Sequence, residues 1–147
     1  MATKAIPDGY HSITPHLMVR GAAQLIDFMK QAFGAQEKER VPGDNGEIMH
    51  AEVKIGDSIV MMSDAMGGYE PMPMVLFLYV EDADAVYDRA LQAGGTTVME
   101  LKNQFWGDRA GAVRDAFGNV WWVATHIEDV SPEEAQRRMQ EATVRQA

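Results

Sequence analysis

The chain has 147 residues, with 22 Asp and Glu against 13 Lys and Arg, for a formal net charge of -9. That acidity excludes a phosphate-gripping surface, so no nucleic-acid partner is expected, and it disfavours an anionic membrane. The absence of cysteine excludes disulfides, thiolate metal sites and cysteine nucleophiles. No signal-type apolar segment or membrane-length apolar run is visible, so no membrane partner and a cytoplasmic location are expected.

The first strand is expected over Ser12–Val19. A helix follows, with Ala22, Leu25, Ile26, Met29 and Phe33 at three- and four-residue spacing, and Gly34 stops it. Gln36–Val41 reads as a strand closed by the Pro42–Gly46 turn. Ile48–Ile55 and Ser58–Ser63 flank the hairpin pair Gly56-Asp57. Residues 66–73 form a linker with Gly67-Gly68 and two prolines.

The pattern then repeats. Met74–Val80 is a strand, and Ala83, Val86, Tyr87, Ala90 and Leu91 mark a helix with Asp82 or Asp84 as its cap. Gly94-Gly95 ends that helix, and Thr96–Leu101, Gly111–Asp115 and Asn119–Thr125 are the strands after it. At an offset of 61, Leu17 matches Leu78, Val19 matches Val80, Ala22 matches Ala83 and Gly34 matches Gly95. The order is β-α-β-β-β, twice. Module one spans residues 12–65 and module two 74–127, within a single domain over 1–130. Ser131-Pro132-Glu133-Glu134 starts a last helix over 131–147, with a capping box.

Strand parity sorts the side chains by face. Ile13, Leu17 and Val19 form one apolar face of the first strand, opposed by Thr14, His16 and Met18. Met49, Ala51, Val53 and Ile55 oppose Ile48, His50, Glu52 and Lys54, so His50 and Glu52 share a face. The last strand of module two is apolar on both sides, which makes it central.

Two constellations carry chemistry. His50 and Glu52 are the candidate acid–base pair, because imidazole titrates near neutrality. With His16 they form a two-His, one-carboxylate set that suits a divalent metal. Equally, the histidines can serve as hydrogen-bonding residues and Glu52 as a solvated strand position. Phe77, Tyr79, Trp106 and Trp122 offer flat walls for a planar guest, or ordinary packing. Arg114 and Arg109 are candidate cations. Arg114 has the fork to hold a carboxylate or phosphate, or to pair with Asp115, Asp108 or Glu52. Gly111 reads as a close-approach glycine.

Three segments point to a family. They are Thr14-Pro15 before Leu17-x-Val19, then His50 to Gly56 running into Met61 to Met66, and last Phe105-Trp106-Gly107 through Val113-x-Asp115-x-Phe117-Gly118. The chain resembles the vicinal oxygen chelate superfamily of glyoxalases, bleomycin-resistance proteins and extradiol dioxygenases, and within it the PhnB-like branch. The resemblance implies an α+β fold of two tandem βαβββ modules with curled mixed sheets around a cleft, and a homodimer. It also implies a small organic ligand, with His16, Phe77, Tyr79, Trp106, Arg114 and Trp122 as lining residues. The family's metal ligands would fall near Thr14, Val60 to Met62, Val75 and Trp122, where no imidazole or carboxylate stands. The expected function is therefore binding without the standard metal set and without a cofactor. The alternative is a lyase or isomerase, metal-assisted through His16, His50 and Glu52 or driven by the His50–Glu52 pair.

Overall fold

Alternation at period two and apolar spacing of three and four set the elements, and hydrogen bonding fixes their ends. The computed structural model describes residues 2–146. It contains β1 (His16–Val19), α1 (Ala22–Phe33), β2 (Gln36–Pro42), β3 (Ile48–Ile55), β4 (Ser58–Asp64) and β5 (Val75–Tyr79). These are followed by α2 (Ala83–Gln92), β6 (Thr96–Asn103), β7 (Asp108–Arg114), β8 (Val120–His126) and α3 (Pro132–Gln146). The strands form two four-stranded sheets ordered β1-β4-β3-β2 and β5-β8-β7-β6. In each, the first and last strands of the unit pair in parallel and the other pairs are antiparallel. The fold is α+β with tandem βαβββ modules, and the apolar strand β8 lies inside its sheet.

The repeat seen in the sequence survives in the register. His16 stands opposite Met61, and 61 positions later Phe77 stands opposite Trp122. The same offset governs how each helix begins. Asp64, at the end of β4, accepts from Gly21 N and Ala22 N at 2.8 and 2.9 Å and from Ile48 N at 2.8 Å. Thr125, 61 positions on in β8, accepts from Ala83 N at 2.9 Å and donates to Val80 O at 2.8 Å. Both side chains tie a helix start to the strand that closes its unit, satisfying amides that have no intrahelical acceptor. Asp82 is the local cap of α2, accepting from Ala85 N.

Two expectations of face need correction. Ile13 is 85% exposed, because β1 begins only at His16. Pro15 has no N–H for a ladder, and its carbonyl accepts from Met61 N just outside the strand. Met49 is 55% exposed while Ile48 is buried. Val41 faces His50 and Pro42 faces Ile48, so Met49 is the extra residue of a bulge and alternation fails there. The capping box of α3 is only half formed. Ser131 Oγ accepts from Glu134 N, but the Glu134 carboxylate pairs with Arg137 and Arg138 instead.

The helix-facing sides of both sheets share one core. Leu17, Val19, Val53 and Met62 meet Leu25, Ile26 and Met29, and the cluster continues through Tyr87, Ala90, Val113 and Trp121. Phe33 packs on Trp121 at 4.8 Å between ring centroids. Each large side chain buried here contributes roughly 1.5–3 kcal/mol. The Trp121 indole N–H needs an acceptor in this interior and finds Asp115 Oδ2 at 2.9 Å. Asp115 also accepts from Phe117 N, Asn119 N and Asn119 Nδ2, while Asn119 Oδ1 accepts from Met74 N. The Asp115-to-Asn119 turn thereby locks β7, β8 and the entry to β5 together. A side chain at Gly111 would stand 2.9 Å from the Leu101 backbone, so the glycine permits close strand approach.

Candidate functional site

The second face of each sheet turns away from the helices, and the candidate residues lie on these two faces. On the first sheet, one cross-strand row runs His16, Met61, Glu52, Glu39 across β1, β4, β3 and β2. His50 sits two residues from Glu52 on the same face, and its Nε2 lies 2.9 Å from Glu52 Oε2 in a hydrogen bond. His16 Nε2 and Ser63 Oγ are hydrogen-bonded at 3.0 Å, and the two imidazole rings are 6.1 Å apart. Partial burial lowers the His16 pKa, and the neighbouring His50 lowers it further. Glu52 is 6% exposed, and its Oε1 is buried with no hydrogen-bond partner. Glu39, His50 and Glu52 each offer a ligand atom within 4.8 Å of the others. Residues of the segment 5–14 flank part of this face, leaving an open cavity of about 390 Å³ with Glu52 and Met61 on its wall.

The corresponding row of the second sheet runs Phe77, Trp122, Ala112, Met99. Phe77 and Trp122 stack at 5.8 Å with 13° between their planes, and Trp106 meets Trp122 edge-on at 6.0 Å. Tyr79 lies beside Phe77 at 5.2 Å. Ala110, Ala112 and Ala124 are buried among these strands. Val75, Phe77 and Tyr79 stay 68, 45 and 60% exposed along β5, an unusual amount of apolar surface for one strand.

A buried carboxylate anchors the aromatic face. Asp108 accepts from Trp106 Nε1 at 2.7 Å and Tyr79 Oη at 2.9 Å, and pairs with His126 Nδ1 at 2.8 Å. Burial works to raise the Asp108 pKa, and the bonds from His126, Trp106 and Tyr79 outweigh it, leaving the carboxyl below its usual range. His126 is held between two acids. Hydrogen bonding to Asp129 and then to Asp108 raises its pKa. The Tyr79 phenol is pushed up by the same Asp108 contact. Gly107 is required here: its φ is 105°, and a Cβ would lie 2.3 Å from Glu128 O.

The structure thus brings His16, His50 and Glu52 together on the first sheet, and Phe77, Tyr79, Trp106 and Trp122 together on the second. None of the main cavities is lined by both groups. Arg114 lies one row beyond Trp122, opposite Val120 and Thr96, exposed and without an ion pair among the described residues. Arg109 is engaged by Asp84 at 2.7 and 2.8 Å and is not a free cation. Sequence reasoning missed Asp108, His126 and Glu39 as parts of these groups. For the first two a signal existed: Asp108 follows Trp106-Gly107, and His126 shares the parity of Trp122. Glu39 had none, because a bulge sets its face.

Two tandem βαβββ units, each with a helix-free sheet face, define the class of fold. The family model of the Glyoxalase/Bleomycin resistance protein/Dioxygenase superfamily matches residues 9–123, and the chain belongs to that superfamily. It is 40% identical over 139 residues to the uncharacterized protein Rv0887c of Mycobacterium tuberculosis, covering 87% of this chain and 82% of that protein. It is 37% identical over 81 residues to YjdN of Escherichia coli, covering 52% of this chain and 54% of YjdN. Among solved structures, TioX from Micromonospora sp. ML1 has a TM-score of 0.69 at 24% identity, over 80% of this chain and 99% of TioX. A PhnB protein from Bacillus cereus has a TM-score of 0.65 at 20% identity, over 78% and 99%. Among the described residues no helix is long and apolar enough to cross a membrane.

Proposed function

We propose that this chain binds a small organic molecule as a homodimer, without the superfamily's standard metal-ligand set. The ligand cleft is closed by the aromatic face of one protomer meeting the histidine–carboxylate face of its partner. The observation that carries the reading is the exposed β5 row of Val75, Phe77 and Tyr79, extended by the Phe77–Trp122 stack. Such a row wants a cover, and stacked rings suit a planar guest. The family's ligand positions carry Val60, Met61, Met62, Val75 and Trp122, which are unsuited to a hard divalent ion. The -9 charge favours a neutral or cationic guest, and Arg114 beside the aromatic row offers a contact for a polar substituent.

The test combines sedimentation equilibrium with tryptophan fluorescence, titrating ethidium as a planar aromatic cation. A dimer whose fluorescence is quenched saturably, with the quench lost in Trp122→Ala, is the expected result. A monomer with no saturable quench overturns the reading. A second reading, a lyase or isomerase of the same superfamily, draws on the 2.9 Å His50–Glu52 bond. It requires turnover that Glu52→Gln abolishes while the variant stays folded and dimeric.

A further inference from the structure

We infer that Glu39, His50 and Glu52 form a binding site for one first-row divalent transition ion, apart from the strand positions where the superfamily's ligands would lie. It goes beyond ligand binding on the aromatic face and does not depend on it.

Gln36 faces Lys54 and Glu37 faces Val53, so an unbroken ladder would set Lys38 opposite Glu52. A bulge between Glu37 and Glu39 intervenes and sets Glu39 there instead. One skipped residue replaces a neutralising lysine with a second carboxylate. The Lys38 ammonium lies over the Tyr10 ring, 4.8 Å from its centroid. Like charges directly opposite on a sheet repel. Among the described residues no lysine or arginine forms an ion pair with Glu39 or Glu52, although nearby Glu37 has both Arg40 and Lys30.

The second, independent observation is Glu52 itself. It is 94% buried by its 6% exposure, one carboxylate oxygen is bonded to His50, and the other has no partner. A buried acceptor without a donor is destabilising unless something positive meets it. An ion held between the three side chains neutralises the buried Glu52 carboxylate and screens Glu39 from it.

Donor chemistry and spacing select the ion. One imidazole with two carboxylates suits first-row transition ions, whereas calcium and magnesium take all-oxygen sites. Ligand atoms about 2.1 Å from one ion stand about 3 Å apart at a right angle and about 3.4 Å apart in a tetrahedron. His50 Nε2 and Glu52 Oε2, 2.9 Å apart across their hydrogen bond, are within reach of one ion once the shared proton leaves. His50 ligates through Nε2, and its proton passes to Nδ1. Three protein ligands leave positions for water or for oxygen atoms of a guest.

The test is a cobalt(II) titration of the full chain at about pH 7.5, where an ordinary imidazole is neutral. The expected result is one equivalent bound, seen in the visible absorption of protein-bound cobalt, and a higher melting temperature. His50→Ala and Glu52→Gln should each weaken binding by more than about a hundredfold, beyond what loss of an outer partner causes. His126→Ala should leave it unchanged. Glu39→Lys, at an exposed strand position, puts a cation opposite Glu52. It should raise the melting temperature of the metal-free protein and abolish the cobalt-dependent rise. Absence of stoichiometric cobalt binding by the wild-type chain overturns the site. So does binding that survives in Glu39→Lys and His50→Ala, or that disappears in His126→Ala.

Discussion

The two halves of this protein share one topology and one register, yet their helix-free faces differ in kind. Across the first sheet the row reads His16, Met61, Glu52, Glu39, and across the second it reads Phe77, Trp122, Ala112, Met99. The helix-facing sides stay alike, because both must bury the same apolar surface in one core. A repeat therefore keeps what packing demands and diverges where packing leaves freedom. One face has become ionisable, with a partly paired buried carboxylate. The other has become aromatic, with its buried carboxylate fully engaged.

The contrast between those carboxylates gives the largest expected effect. Asp108→Ala removes the acceptor of Trp106, Tyr79 and His126 together, and should cost about 3 kcal/mol in urea unfolding. It should also release Trp106 to solvent, seen as a red shift in emission. If Asp108→Ala is no more costly than Glu52→Ala, the contrast between an engaged and an under-satisfied carboxylate is wrong.

Trp122→Ala removes the stack with Phe77 and the edge contact with Trp106. It should cost about 1–2 kcal/mol and, on the reading proposed above, eliminate ethidium quenching. His16→Ala should leave that stack, and hence the near-ultraviolet circular dichroism of the aromatic face, intact. Glu39→Gln tests the opposite sign. Relieving the like-charge pair opposite Glu52 should stabilise the metal-free protein by about 0.5 kcal/mol, measured in chelator-treated samples.

The smallest effects come from pH, and the two faces should respond in opposite directions. The His16 pKa is lowered, so its contribution to stability is present above the ordinary value near 6.5 and is lost as pH falls from there through the lowered one. The His126 pKa is raised, so its contribution is present below that ordinary value and is lost as pH rises through the raised one. Subtracting the stability profiles of His16→Gln and His126→Gln from that of the wild type should give slopes of opposite sign. Both imidazoles are substantially solvent-exposed, so salt should flatten both differences. Slopes of the same sign would remove the electrostatic distinction between the faces.

The sequence by itself determined the two-unit βαβββ order, the central place of β8, the helix-facing side of most strands, and the shared face of His50 and Glu52. These follow from periodicity and from a repeat offset that the cross-strand register preserves. It also separated an aromatic set from a histidine–carboxylate set. It did not show that the two sets line no common main cavity, because distances between strands far apart in sequence depend on how the units pack.

Only the tertiary structure decided the exceptions to alternation. Pro15 delays β1 and exposes Ile13, a bulge exposes Met49, and another turns Glu39 toward Glu52 in place of Lys38. A bulge shifts every later side chain to the other face without a mark in composition or charge. Asp108 stood beside the Trp106-Gly107 signal, but its role arises only where β5, β8 and the Trp106 loop converge on one buried oxygen pair. Local pattern fixes which face a residue prefers. Register and burial decide which charges must live together.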